Sequence, residues 1–241
     1  MPRHIQMVNR FFSLAEAKWV CDRHPLGGDS GGYLDLSEYT HADPMAFKYL
    51  ASQGERGMLE LGLKELDVQT ASILLTCSSF LDFKNLDYFS REVATVLSNS
   101  HGCLGIDGVH DVKVEVISEL ARHRGSLSLS FMDKLTMEMA TELARQRWGE
   151  LFVRVPEQPS MPVQLKLFYD YAGIAVTLQF PYDSKNFNSD SYGLCHKTVL
   201  VQVVNGENGE SWCNITASDS ADSRHERMEF IRERGCDASP D

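Results

Sequence analysis

The sequence predicts an α/β chain: a short solenoid with a parallel strand ribbon backed by helices, followed by a small antiparallel β region. Three observations lead there. Short Leu-x-Leu-like segments recur at nearly constant spacing, an apolar pattern of helical period follows them, and beyond Val155 the apolar period becomes two. The 241 residues suffice for one large domain or two modest ones, and 43% hydrophobic with 24% charged residues is ordinary globular usage.

Residues 1–32 precede the first segment. Ser13-Leu14-Ala15-Glu16 has capping-box spacing, in which serine and glutamate satisfy each other's backbone donors, and Ala17, Val20 and Cys21 follow at helical spacing. A helical cap or diverged first unit is expected here, because the first unit's apolar side would otherwise face water.

Residues 33–155 carry the repeat. Its segments begin at Leu34, Leu59, Leu81, Leu104, Leu127 and Leu151, with spacings of 25, 22, 23, 23 and 24 residues. With each leucine at position 0, position +2 reads Leu36, Leu61, Phe83, Ile106, Leu129 and Val153. Position +12 reads Ala46, Ala71, Val93, Val116 and Met139, and position +16 is leucine five times, at Leu50, Leu75, Leu97, Leu120 and Leu143. At 43% apolar composition, 22 such matches arise by chance with probability about 10⁻⁸, which survives a discount on the order of a few thousandfold for the choice of register. Alternate apolar residues at 0 and +2 make one strand face, while +12 and +16 are one helical turn apart. Ser90 and Thr136 stand at +9 as helix caps, and Glu92, Glu115 and Glu138 at +11 complement the positive end of the helix dipole. Arg122, Arg124, Arg145 and Arg147 at +18 and +20 are read as complementing the opposite end. Gly102, Gly125 and Gly149 let the chain leave the helix.

Leu104-Gly105-Ile106-Asp107-Gly108-Val109 and Leu127-Ser128-Leu129-Ser130-Phe131-Met132 are where the chain resembles the leucine-rich repeat family, whose 20 to 29-residue units line a horseshoe. The family's Asn or Cys at +5 is replaced by Tyr39, Lys64, Leu86, Val109 and Met132. The resemblance implies a protein-binding use of the exposed strand face.

Three prolines in Pro156-Glu157-Gln158-Pro159-Ser160-Met161-Pro162 oppose further helix and set a boundary. Residues 156–217 are expected to form a small antiparallel β domain or C-terminal cap. One hairpin is read from Val163, Leu165, Leu167, Tyr169 and Tyr171 with Ile174, Val176, Leu178 and Phe180; a second joins Thr198–Val204 to Trp212–Thr216. A loop falls at 183–193, and residues 218–241 read as a polar, mobile tail.

The chemistry is sparse. Gly28-Asp29-Ser30-Gly31-Gly32 is similar to the nucleophile segment of chymotrypsin-like serine proteases, but only about 27 residues precede the serine and His24 alone completes no triad, so it reads as a glycine-rich turn. No metal-ligand spacing, phosphate loop or dinucleotide fingerprint occurs, so neither metal nor cofactor is expected. A net charge of −11 disfavours nucleic acid and anionic membrane. The early residues hold no apolar run of signal-peptide length and the six cysteines are scattered, which points to reduced thiols in the cytoplasm.

What remains is the outer face of the strands at +1 and +3. It carries Asp35, Glu60, Asp82, Gly105, Ser128 and Phe152 in one row, and Ser37, Gly62, Lys84, Asp107, Ser130 and Arg154 in the other. The expectation is a non-enzymatic protein–protein interaction module binding a partner with some basic surface through Asp35, Ser37, Glu60, Asp82, Lys84, Asp107, Ser128, Ser130, Phe152 and Arg154. The alternatives are a hydrolase using Ser30, or ligand binding in the C-terminal β region.

Overall fold

The computed structural model describes residues 10–24, 32–110, 112–131, 133–171, 175–181, 198–205 and 211–218. β1 (Arg10–Phe12) leads into α1 (Leu14–Arg23), where the Glu16 carboxylate accepts from the Ser13 amide at 2.9 Å and the Glu16 amide donates to Ser13 Oγ at 3.3 Å, completing the capping box. Three units of strand, short strand and helix follow: β2 (Tyr33–Leu36), β3 (Tyr39–Ala42) and α2 (Pro44–Ser52); β4 (Met58–Leu61), β5 (Glu65–Leu66) and α3 (Val68–Leu74); β6 (Phe80–Phe83), β7 (Tyr88–Phe89) and α4 (Arg91–Ser98). Next come β8 (Cys103–Val109) with α5 (Val114–Leu120), β9 (Leu127–Phe131) with α6 (Met137–Ala144), and β10 (Glu150–Arg154) with α7 (Met161–Asp170). The chain then enters β11 (Ala175–Pro181), β12 (Thr198–Asn205) and β13 (Ser211–Ser218).

The fold is mixed α/β with a mostly parallel sheet. From β2 through β4, β6, β8, β9 and β10 to β11, each strand pairs in parallel with the next, and β13 then adds antiparallel to β11 with β12 outside it. Successive helices contact one another in the same order. The layers close on the residues at 0 and +2, all of them buried, together with Ala46, Ala71, Val93, Val116 and Met139 at +12. Burying a side chain of this size contributes about 1.5–3 kcal/mol, so recurrence of one register along the chain supplies the main driving force.

Position +16 departs from expectation once. Leu50, Leu97, Leu120 and Leu143 are buried, but α3 ends at Leu74, which takes the core position, and Leu75 becomes its half-buried C-cap. The preceding spacing of 25 and following spacing of 22 leave α3 one residue out of phase with the other helices.

The first hairpin read after Val155 is overturned. Residues 161–170 are the helix α7, and β11 pairs in parallel with β10 through Leu151↔Val176 and Val153↔Leu178. Proline opposes a helix only where its missing N–H is needed; Pro162 occupies the first turn, where no donor is required. Ser160 stands at the N-cap, while Val163 and Leu167 fall at +12 and +16 from Leu151 and are buried, so this segment keeps the register of its predecessors. The second hairpin is present as β12 and β13. The loop at 183–193, the tail beyond Ser218 and Ser30 lie outside the described residues.

The helix-end reading of the arginines is also corrected. Neither α5 nor α6 has a basic residue in its last turn; α5 ends at Leu120 and α6 at Ala144. Arg122 and Arg145 instead pair with Glu119 and Glu142, three residues earlier.

Buried polar side chains close the turns after the helices. Arg56 Nη1 donates to the His24 carbonyl at 2.5 Å, and His123 Nε2 donates to the Gly102 carbonyl at 3.0 Å. Gln146 Nε2 donates to the carbonyls of Gly125 and Trp148, both at 3.0 Å, and the Tyr171 hydroxyl donates to Gly149 at 3.1 Å. Backbones touch where these side chains plug in. A methyl on Gly102 would lie 1.5 Å from the Ser79 carbonyl oxygen, and one on Gly125 would lie 1.7 Å from that of Gly102. Close approach, more than conformational freedom, is what glycine provides there.

Candidate functional site

Parallel pairing carries the +1 residues across the sheet in one row: Asp35 opposite Glu60, Glu60 opposite Asp82, then Gly105, Ser128, Phe152 and Thr177 on successive strands. Adjacent parallel strands lie about 4.8 Å apart, so three carboxylates stand on three neighbouring strands. Bare carboxylates at that spacing repel, and each is met by a donor. Asp35 Oδ1 accepts from the Ser37 amide at 2.8 Å, Glu60 Oε2 accepts from the Tyr33 hydroxyl at 3.0 Å, and Asp82 Oδ2 lies 2.7 Å from Lys84 Nζ. Lys84 also reaches Asp107 Oδ2 at 3.6 Å.

These contacts set protonation. Partial burial alone would lower Lys84, but the hydrogen bond and charge of Asp82, with Asp107 and Glu60 behind it, hold its pKa above the usual lysine value. The ammonium therefore stays charged, which makes it an ion-pairing group rather than an amine nucleophile. Burial, the Glu60 hydrogen bond and the charges of Asp35 and Glu60 push Tyr33 up to about 12, so its hydroxyl remains a donor at neutral pH.

The expected site residues divide by position. Lys84, Asp107, Ser130 and Arg154 come together in a groove of about 510 Å³ that crosses β6 to β10. Asp35, Ser37 and Glu60 lie toward the β2 edge, away from that groove, and Ser128 and Phe152 continue the Asp35–Glu60–Asp82 row on β9 and β10. The Arg154 guanidinium sits 5.8 Å from the Phe152 ring centroid and donates to Gln179 Oε1. Ser130, expected on the outer face, is only 8% exposed and serves as wall more than as contact.

The structure adds residues that the rows at +1 and +3 omitted. Asn85, Asp87 and His110 line the same groove from the turns beyond the strands, and Phe131 lines it from the end of β9. A further outward row stands at −1, where Tyr33 pairs with Met58 and Phe80 with Cys103, giving the acidic row a flank of half-buried and exposed apolar groups. Strand alternation alone places that row, because −1 shares a face with +1.

The arrangement sets charge beside apolar surface. Among the described residues, hydroxyls lie against histidine ring nitrogens at Thr40, whose Oγ1 is 2.9 Å from His41 Nδ1, and at Ser100, whose Oγ donates to His123 Nδ1 at 3.2 Å. His123 is fully buried, and burial lowers its pKa despite hydrogen bonding to Gly102. The equivalent position in the next unit is Gln146, which makes the same bond to the preceding glycine carbonyl and has no base chemistry, so the shared property is turn closure. No group of three or more His, Cys, Asp or Glu among the described residues is placed to hold a metal ion, and none of the described helices is long and apolar enough to cross a membrane. Compared with protein-family models, with curated proteins and with solved structures, the chain matches none.

Proposed function

We propose that the chain is a short solenoid of the leucine-rich-repeat kind, acting as a non-enzymatic protein-interaction module that takes a basic segment of a partner on the outer face of its strands. The observation that carries this reading is the cross-strand row Asp35, Glu60 and Asp82, flanked by Tyr33, Met58 and Phe80. Carboxylates at strand spacing beside apolar side chains suit an extended segment that alternates basic and apolar residues, since charge complementarity sets orientation and apolar contact adds affinity. Localisation in the cytoplasm is part of the proposal, and the free thiols of Cys21, Cys77, Cys103 and Cys213 are consistent with it.

The test is a cross-linked capture from source-cell lysate, run with wild type and with Asp35→Lys, Glu60→Lys, both exposed enough to change without disturbing the core. The expected result is loss of the partners that a competing lysine-rich peptide also displaces, with circular dichroism unchanged. Identical capture by the two proteins would remove this face as the site. Asp82→Asn is the weaker companion, because Asp82 also holds Lys84 in place.

A further inference from the structure

A second surface carries the opposite charge. The turns after α5 and α6 enclose a concavity of about 360 Å³ lined by Arg122, Arg124, Arg145, Arg147, Glu142 and Trp148. Four guanidinium groups line it beside the Glu142 carboxylate, with the Glu119 carboxylate buried behind Arg122, on a chain whose net charge is −11. Its origin is a repeated local pattern: His123 and Gln146 turn inward to close their loops, which leaves the residue on either side of each facing solvent. Both flanking positions are arginine in both units.

The fold does not require all four. Arg122 joins Arg91 on the buried Glu119 carboxylate, at 2.7 and 2.6 Å, and Arg145 lies 2.9 Å from Glu142. Arg124 and Arg147 are exposed and make no ion pair among the described residues. Trp148, which lines the same concavity, is 58% exposed, an unusual position for so large an apolar side chain. Unpaired guanidinium forks match the geometry of carboxylates, and an indole face adds apolar contact.

We infer that this cleft is a binding site for a short acidic segment of a protein, distinct from the acidic strand face and independent of it. The segment is short because the cleft spans only two units, and the acidic remainder of the chain repels any long polyanion that extends beyond it.

The test is a fluorescence anisotropy titration of the full chain with a labelled octaglutamate peptide at low ionic strength. Saturable binding is expected, weakened about tenfold or more by Arg124→Glu, Arg147→Glu and several-fold by Trp148→Ala. Lys18→Glu, Arg23→Glu, an equal charge change on α1, and Asp35→Lys, Glu60→Lys on the strand face are the controls, and neither should weaken binding. Circular dichroism checks that the arginine variant is folded. The inference is overturned by absence of saturable binding, by equal affinity of the arginine variant and wild type, or by preferential binding of a short DNA duplex that the same arginine variant abolishes.

Discussion

His123 offers a direct test of how the units are joined. Its ring is fully buried, donates from Nε2 to the Gly102 carbonyl and accepts at Nδ1 from Ser100. Replacing it by leucine keeps an apolar volume but leaves the Gly102 carbonyl without this donor, at a cost of about 1–3 kcal/mol, or a fall in Tm of roughly 2–10 °C for a chain of this size. His123→Gln should cost far less, because Gln146 already performs the same closure one unit later. The two variants also separate on pH. Burial lowers the folded-state pKa of His123, so the unfolded chain takes up the proton first as the solution is acidified. Its contribution is therefore complete above the unfolded value near 6.5 and declines as pH falls below it, by at most about 1.4 kcal/mol per pH unit, until the folded state is protonated too. Urea denaturation of wild type and His123→Gln at pH 8.0 and at intervals down to pH 5.0 reads this as a difference, in which the other titrating groups largely cancel. The glutamine variant should gain on wild type as pH falls. A constant difference across that range, or a leucine variant as stable as wild type at pH 8.0, would refute the account of His123 as a buried neutral plug.

Three further expectations follow from packing and exposure. Gly125→Ala places a methyl 1.7 Å from the Gly102 carbonyl oxygen, the atom His123 holds, so separation of the backbones should cost about 3 kcal/mol or more in chemical denaturation; stability within 1 kcal/mol of wild type would contradict the close approach. Leu167→Ala should cost about 3–5 kcal/mol, because Leu167 is fully buried on α7. Cys103 is exposed, whereas burial pushes Cys77 up to about 12 and Cys213 up to about 11, so maleimide labelling of the native chain read by peptide mass mapping should modify Cys103 well before either of them.

Much of the architecture was legible because its signal is a register. Positions 0, +2 and +12 recur in type and are buried in every unit of the 33–155 stretch. The failures occur where a local cue competed with that register. Val163, Leu165 and Leu167 alternate like a strand and follow three prolines, but Val163 and Leu167 also lie one helical turn apart at the required offsets from Leu151. A proline in the first helical turn carries no penalty, so the register prevailed. Leu75 shows the reverse: residue type repeated while spacing drifted, and the helix took Leu74 instead. The plugs were illegible for another reason. Arg56, His123, Gln146 and Tyr171 share a role but no residue type, so composition aligned over units does not reveal them. The groove was half legible: strand alternation placed Lys84, Asp107 and Arg154, while Asn85, Asp87 and His110 come from turns that obey no period.

That contrast explains where chemistry can reside on this molecule. Leucine pairs, the +12 residue and the inward plug are held by packing, and change at any of them leaves a cavity, a clash or an unpaired polar atom. Two sets of positions are held less tightly: most of the outward strand residues, Gly62 and Ser130 excepted, and the residues on either side of His123 and Gln146. Their charge is less constrained by packing, and it clusters locally: acidic in the +1 row on β2, β4 and β6, mixed in the +3 row with Lys84, Asp107 and Arg154, and basic beside His123 and Gln146. Asp35, Glu60 and Asp82 occupy the first set on adjacent strands, and Arg122, Arg124, Arg145 and Arg147 occupy the second on adjacent turns. Like charges at neighbouring positions repel, and the fold offsets part of that: Ser37, Tyr33 and Lys84 meet the three carboxylates, while Glu119 and Glu142 pair with Arg122 and Arg145. Two clusters of opposite sign, at positions whose charge the core does not dictate, therefore support the proposal of two separate binding surfaces.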